Sequence, residues 1–372
     1  KGVVLTHKNL VWDARQCRTI QPVDETYRFL SILPMAHTYE NTLGLLLPLM
    51  FGAQVYYLDR VPTPKLLVPA MQKIRPTVVL SVPLIIEKIY KSQVLPKFTS
   101  SKLMSKLYQF APARKLFNRL AGKKLMETFG GELKFFGIGG SKLDGTVEQF
   151  LREAKFPYAI GYGLTETAPM AAGSNPSQTF LQGVGPVMEG VQIKINDPDK
   201  SGQGEIWIKG PNVMKGYYKR PELTAETFTE DGWFKTGDLG SFDKKNRLAI
   251  RGRIKTMILG ASGENIYPEE IESIINNFRF VNESLVVENS GKLVAMVHFN
   301  MEELEKQYQK LKDQAGNYKE KINDYIEEQK QELRDYVNAR VNNFSKLQLV
   351  LVQHEPFEKT PTHKIKRFLY CK

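Results

Sequence analysis

Apolar and polar residues follow one another in short blocks through the first half of the chain. The runs YRFLSILPM at 27–35, AQVYYL at 53–58 and TVVLSV at 77–82 are rich in β-branched and aromatic residues, and helical or loop stretches separate them. That alternation predicts an α/β unit built on a mostly parallel sheet. LKFFGIGGS at 133–141 reads as a strand entering a glycine turn. TVEQFLREA at 146–154 places Val147, Phe150 and Leu151 on one helical face, and YAIGYG at 158–163 is a further short strand.

From Val184 the period changes. VQIKI, GEIWIKG and RLAIRGR alternate between Gly and Asp turns, which predicts a small β-rich subdomain over 184–253. Beyond Arg253, Pro268 stands where a helix would begin, and Glu269, Glu270 and Glu272 fill the turn where the helix dipole favours acids. ESLVVENSGKLVAMVHF predicts a hairpin, and 301–343 a long charged helical stretch, together a smaller α+β domain. The predicted division is 1–253 and 254–372.

Composition fits this picture. At 372 residues the chain can bury two cores, and 42% apolar with 25% charged residues places it among folded globular proteins. The longest apolar stretch, LGLLLPLMFGAQVYYL at 43–58, is too short and too interrupted by Pro48, Gly52 and Gln54 to span a bilayer. Two cysteines, Cys17 and Cys371, and an opening without a charged segment ahead of an apolar one fit a cytoplasmic setting. The net charge of +12 is uneven: residues 1–253 carry 35 Lys and Arg against 22 Asp and Glu, whereas 254–372 carry 17 against 18. Ten cations and no acid lie between Lys88 and Lys124, interleaved with Leu103, Leu107, Phe110, Leu116, Phe117 and Leu120. This spacing suits basic amphipathic helices, whose face either lies on an anionic membrane surface or nucleic acid, or is an ordinary solvated face over a core.

Several chemistries are excluded. GIGGSK puts Lys142 where a dinucleotide fingerprint needs glycine, no nucleophile elbow forms around Ser141, and no complete GxxxxGK[ST] loop occurs. The histidines at 7, 37, 298, 354 and 363 lack zinc-ligand spacing. GYGLTETAP at 161–169 is more promising. Gly161 and Gly163 let backbone approach a ligand, the hydroxyls of Thr165 and Thr167 suit phosphate oxygens, Glu166 suits Mg²⁺, and the Tyr162 ring suits a base. A plain strand-to-loop turn explains the same residues. In GWFKTGDLG at 232–240, Asp238 sits between glycines in a tight loop, placed either for two ribose hydroxyls or simply for its own turn. The ending KTPTHKIKR at 359–367 reads alone as a solvated basic tail.

Taken in order, these pieces resemble the adenylate-forming superfamily of acyl-CoA synthetases, luciferases and peptide-synthetase adenylation domains. The resemblance runs from KGVVLTHKNL through SVPLIIEKIY, GGS, GYGLTETAP, GVGPVMEGVQIKI, GEIWIKGPNVMKGYY, GWFKTGDLG and GRIKTMILGASGENIYPEEIE to KTPTHKIKR. SVPLIIEKIY and TPTHKIKR look most like long-chain fatty acyl-CoA synthetases, and GENIYPEEIE like bacterial members. It implies a partial large α/β domain followed by a smaller mobile α+β lid. It also implies adenylation of a fatty acid by ATP with Mg²⁺, then transfer of the acyl group to CoA. In that frame Gly139, Gly140, Ser141 and Tyr162, with Gly163, would frame adenine, Thr165 would bind phosphate, and Glu166 would hold the metal. Asp238 and Arg253 would hold the ribose, Lys255 would be the hinge, and Lys364 would be the mobile catalytic lysine. His37 stands where the family lines its acyl and pantetheine pocket, with a hydrogen-bonded structural histidine as the other reading. The family's phosphate loop ends in Pro-Lys-Gly-Val, of which Lys1, Gly2 and Val3 are the last piece, so the resemblance predicts an inactive C-terminal part of a longer enzyme. Another acid-thiol ligase, a stand-alone adenylation enzyme, and a nucleotide-binding fragment without turnover are the alternatives.

Overall fold

A computed structural model describes residues 1–60, 62–99, 101–260, 264–311, 318–359 and 365–371. The chain forms two compact units, Lys1–Ile250 and Arg251–Lys372. In the first, β1 (Val3–Val4) is followed by β2 (Arg28–Ser31), β3 (Gln54–Tyr57), β4 (Val78–Ser81), β5 (Phe135–Ile138), β6 (Tyr158–Gly163) and β7 (Met170–Gly173). The last six make one sheet in the order β3-β2-β4-β5-β6-β7. Its neighbours are parallel except β7, which lies antiparallel to β6.

Burial on both faces explains the continuous apolar runs. All four residues of β4 are buried, and successive side chains enter different cores. Val78 and Leu80 join Phe29 on one side, while Val79 joins Leu30, Phe136 and Ile138 on the other. A parallel sheet covered twice needs apolar residues at consecutive positions. The second face is covered by helices Pro64–Ile74, Ala111–Thr128 and Gly145–Glu153 through Met71, Leu125, Val147, Phe150 and Leu151. The last of these helices begins where the Asp144 carboxylate accepts from the N–H groups of Thr146 and Val147 at 2.8 and 2.9 Å, an N-cap.

The first face carries the β-rich part. Strands β8 (Gln192–Asn196), β9 (Gly204–Lys209), β10 (Gly216–Tyr217), β11 (Phe234–Phe242) and β12 (Leu248–Arg253) follow in sequence. Four of them form a sheet ordered β12-β11-β9-β8, with β9 antiparallel to β8 and β11, and β10 pairs antiparallel with β1. Ile206, Ile208, Phe234 and Leu248 enter the same core as Phe29 and Leu80.

The second unit opens with the antiparallel pair β13 (Ile258–Leu259) and β14 (Asn265–Ile266), then helix Pro268–Ile275 with Glu269 and Glu270 in its first turn. Strands β15 (Val281–Asn289) and β16 (Lys292–Phe299) form the expected hairpin, closed by Ser290 and Gly291 at φ 53° and 76°. Two left-handed residues give the turn whose twist matches the strands. Strand β17 (Leu349–Val352) joins β16 in parallel. Ile271, Ile275, Leu333 and Val337 cover one side of this sheet, and Phe357 packs with Leu285, Val287 and Val294 in a second cluster. Of the helical stretch expected over 301–343, the described residues form helices Met301–Leu311 and Tyr318–Asn338. The second stops because the Asn338 side chain bonds the backbone of Leu347 both ways, at 3.0 and 2.7 Å, and turns the chain toward β17.

Phe129, Phe136 and Phe156 meet edge to face with centroids 5.4–5.6 Å apart. Phe136→Ala should therefore destabilise the first unit by about 3–5 kcal/mol. Leu103→Ala, at a side chain 69% exposed, should change stability by no more than about 0.5 kcal/mol. Denaturant midpoints that move equally for the two variants would contradict this assignment of the core.

Candidate active site

The C-terminal ends of β4, β5 and β6 lie side by side, the place where open parallel sheets bind ligands. At the end of β5, the N–H of Gly139 donates to Ser81 O at 3.1 Å, Gly140 takes φ 92°, and Gly140 and Ser141 are exposed. A Cβ at 139 would lie 3.2 Å from the Tyr39 ring, a tight approach that favours glycine there. Burial pushes the Tyr39 phenol well above its ordinary value, so it stays neutral.

Strand β6 then runs into a 3-10 turn, Thr165–Thr167. Gly163 admits no side chain, since a Cβ would stand 1.7 Å from Pro169 O. Thr167 is fully buried, and its hydroxyl accepts from Leu164 N–H at 2.9 Å and donates to Pro169 O at 2.5 Å. Thr167 is thus scaffold, and only Thr165 of the two threonines is exposed. Glu166 is half-buried between them; its carbonyl accepts from Met214 N–H at 2.9 Å, and its carboxylate accepts from the Tyr217 hydroxyl at 2.8 Å. The Lys1 ammonium stands 3.8 Å from the Tyr217 ring centroid. Burial, reinforced by the Glu166 bond, raises the Tyr217 phenol far above its usual range, which keeps it a donor. No group of three metal-ligating side chains occurs among the described residues. One carboxylate fits Mg²⁺ that is otherwise held by phosphates and water, as this ion prefers.

Asp238 is buried, and the Tyr162 hydroxyl donates to its Oδ2 at 2.9 Å, which joins β6 to β11. The expected tight loop around Asp238 is instead a bulge within β11, where register with β9 shifts between Lys235 and Leu239. Glu205 accepts from Gly237 N–H at 3.0 Å, and Thr236 Oγ1 accepts from Asp238 N–H at 3.0 Å, fixing the bulge. Bulges re-aim a side chain in this way.

The His37 ring is exposed, and no hydrogen bond to it occurs among the described residues. Three residues on, Glu40 is 1% exposed, accepts from Ser31 Oγ at 2.5 Å, and leaves Oε2 without a partner. Burial raises its carboxyl to about 7 against that bond. Thr42 Oγ1 donates to Ala168 O at 2.9 Å, tying this segment to the turn that holds Glu166. Sequence reasoning missed Tyr39, Glu40 and Tyr217; the GYY run that holds Tyr217 was quoted without a role.

In the second unit Arg253 and Lys255 are exposed in a turn closed by Met257 N–H donating to Arg253 O at 2.9 Å. Lys364, the expected catalytic lysine, lies outside the described residues. The described residues on either side of 360–364 are bonded. Lys359 bridges Ile365, and Lys359 pairs with Glu283 at 2.5 Å. Arg367 Nη1 donates to both Glu272 oxygens at 2.6 and 2.9 Å, and its Nη2 to Val286 O at 2.8 Å. Burial lifts the Glu272 carboxyl to about 7 against the pull of Arg367.

Two variants test these acids. Between about 4.5 and 7 the unfolded chain has released the Glu40 proton while the native chain keeps it, so stability falls as pH rises through that window. Glu40→Gln should recover up to about 3 kcal/mol of that loss, matching the parent near pH 4 and exceeding it near pH 8. Parallel stability curves would acquit Glu40. Arg367→Ala, which leaves Glu272 buried and unpaired, should cost about 3–5 kcal/mol by thermal unfolding. An unchanged midpoint would show the pair to be surface-like.

Comparison with known proteins accords with this geometry. The AMP-binding enzyme profile matches residues 1–218. The peroxisomal long chain acyl-CoA synthetase 6 of Arabidopsis thaliana is 30% identical over 402 residues, covering 99% of this chain and 56% of the plant protein. Long-chain-fatty-acid–CoA ligase 1 of Saccharomyces cerevisiae is 31% identical, covering 78% of this chain and 45% of the yeast one. The chain thus spans about half the length of these relatives. In fold it is similar to the o-succinylbenzoate CoA synthetase of Bacillus subtilis, solved with its acyl-adenylate intermediate. That match has a TM-score of 0.74 at 22% identity, over 100% of this chain and 66% of the other. ATP-bound MatB from Rhodopseudomonas palustris superposes equally well, with TM-score 0.74 at 22% identity over 100% and 64%. The profile match over more than half its length shows that the chain belongs to the AMP-binding enzyme family.

Proposed function

We propose that the chain is the C-terminal part of an ATP-dependent long-chain fatty acid CoA ligase. The reaction has two steps. A fatty carboxylate attacks the ATP α-phosphate, giving acyl-AMP and pyrophosphate, and the CoA thiol then attacks the acyl carbon and displaces AMP. The observation that carries the reading is the buried Tyr162–Asp238 bond at the carboxyl edge of the parallel sheet, beside a turn that displays Thr165 and Glu166. Asp238, with its orientation fixed, is suited to accept from ribose hydroxyls, to which Arg253 would donate. The Gly139, Gly140, Ser141 turn with Tyr162 and Gly163 would frame adenine. Thr165 offers a hydroxyl to phosphate, and Glu166 would hold Mg²⁺, which supplies charge neutralisation on the polyphosphate. His37 would line the acyl or pantetheine channel. Lys364 would stabilise charge developing on the α-phosphate, and Lys255 would be the hinge about which the second unit reorients between half-reactions. The long-chain preference is supported by relatives named as long-chain ligases. Unpaired Cys17 and Cys371 accord with a cytoplasmic protein, and we place its contact with the fatty acid at an anionic membrane surface.

In the complete enzyme, pyrophosphate release should be faster with palmitate than with acetate, and a preference for acetate would redirect the reading to another acid-thiol ligase. Calorimetry showing ATP and AMP binding without turnover of any acid would leave a nucleotide-binding module. Lys364→Ala should lower acyl-AMP formation about 10²-fold or more while ATP binding changes little. Given synthetic acyl-AMP, the same variant should still form acyl-CoA at a near-normal rate. Equal loss of both half-reactions in a folded variant would remove Lys364 from the proposed role.

A further inference from the structure

Helices Lys102–Gln109 and Ala111–Thr128 expose a surface that the core does not claim. In the longer helix Asn118, Gly122 and Leu125 turn inward. At about 100° per residue, the opposite arc holds Leu116, Arg119, Leu120, Lys123 and Lys124, with Lys115 at its flank, all exposed. Leu116 and Leu120 are 57% and 62% exposed, and Leu103 and Phe110 on the preceding segment 69% and 63%. An ordinary solvated face scatters its apolar side chains singly and pairs its cations with acids three or four residues away. Here Leu116 and Leu120 are neighbours and no acid occurs between Lys88 and Lys124; Glu127 in the last turn is within reach of Lys123 and Lys124 alone, which leaves Lys115 and Arg119 without an acid three or four residues away on their own helix.

A cleft of about 320 Å³ adjoins this face, lined by Lys115, Arg119, Gln149, Arg152, Glu153 and Lys155, with Leu181 at its edge. Its single acid is already engaged, since Glu153 accepts from Arg114 at 2.9–3.2 Å and from Asn118 at 2.7 Å. Arg152 donates to Thr179 O at 2.8 Å, and Lys115, Arg119 and Lys155 have no ion-pair partner among the described residues. Four cations therefore converge on a hollow whose only carboxylate is neutralised by a fifth, next to side chains suited to a hydrocarbon boundary.

We propose that this face docks on an anionic phospholipid surface, with Leu103, Phe110, Leu116 and Leu120 entering the headgroup boundary and the cleft receiving a lipid phosphate. The inference deepens the ligase reading, on which its purpose rests, because long-chain acids partition into bilayers. Its test uses no acid, ATP or CoA, so the two can fail separately.

The complete enzyme is sedimented with vesicles of pure phosphatidylcholine and of equimolar phosphatidylcholine and phosphatidylglycerol at low salt. Strong partition onto the mixed vesicles alone is expected, fading as salt shortens the screening length. Each cation removed should weaken it about fivefold, so Lys115→Gln with Arg119→Gln should lose about 25-fold. Phe110→Ser should also weaken partition, with thermal unfolding unchanged in both variants because the side chains are exposed. Equal sedimentation with the two vesicle types, or full partition of the double variant, overturns the proposal. So does tighter retention by soluble glycerophosphoglycerol or by single-stranded RNA than by vesicles, which would mark a soluble-anion or nucleic-acid site. Vesicle binding without pyrophosphate release from any acid would keep this inference and sink the ligase reading.

Discussion

The hydrogen bond from Tyr162 to Asp238 is the joint on which the site depends. It connects the last parallel strand of one sheet to the bulged strand of another across a common core. A buried phenol needs a partner, and a buried carboxylate needs a donor, so each secures the other at 2.9 Å. Glycines hold the strand end around it, and Glu205 and Thr236 hold the bulge. The joint therefore transmits the rigidity of both sheets to one carboxylate, the kind of preorganised support that a binding constellation requires.

Two acids of the first unit show how environment decides what a carboxylate can do. Glu166 reaches a half-open position with one tyrosine donor, while Glu40 lies sealed with one oxygen unanswered. The Thr42 bond to Ala168 O links the segments that carry them. The first acid can meet a cation from outside, and the second can stay buried only by keeping its proton near neutrality.

Much of this was legible in the chain. The apolar run TVVLSV marked a strand of a mostly parallel sheet, and the switch to alternation after Val184 announced a sheet of another kind. Pro268 and the acids behind it announced a helix start. Glycines flanking Tyr162 and Asp238 marked both ends of the joint, although nothing local said that they meet 76 residues apart. The break at Asn338 was hidden because helical periodicity continues past it, and a side chain bonding a backbone nine residues ahead ends the helix. Tyr39, Glu40 and Tyr217 were hidden for a related reason. Their roles come from burial and from partners on other strands, which single residues in a run do not disclose.

The ion pairs at the end of the chain have a consequence in polymer terms. Ile365 is bridged to Lys359 and packed beside Phe357, while Arg367 is locked to Glu272 on a helix of the same unit. Residues 365–371 are therefore held by contacts to the sheet and helix of their own unit, so this stretch shares in that unit's cooperativity instead of fraying from it.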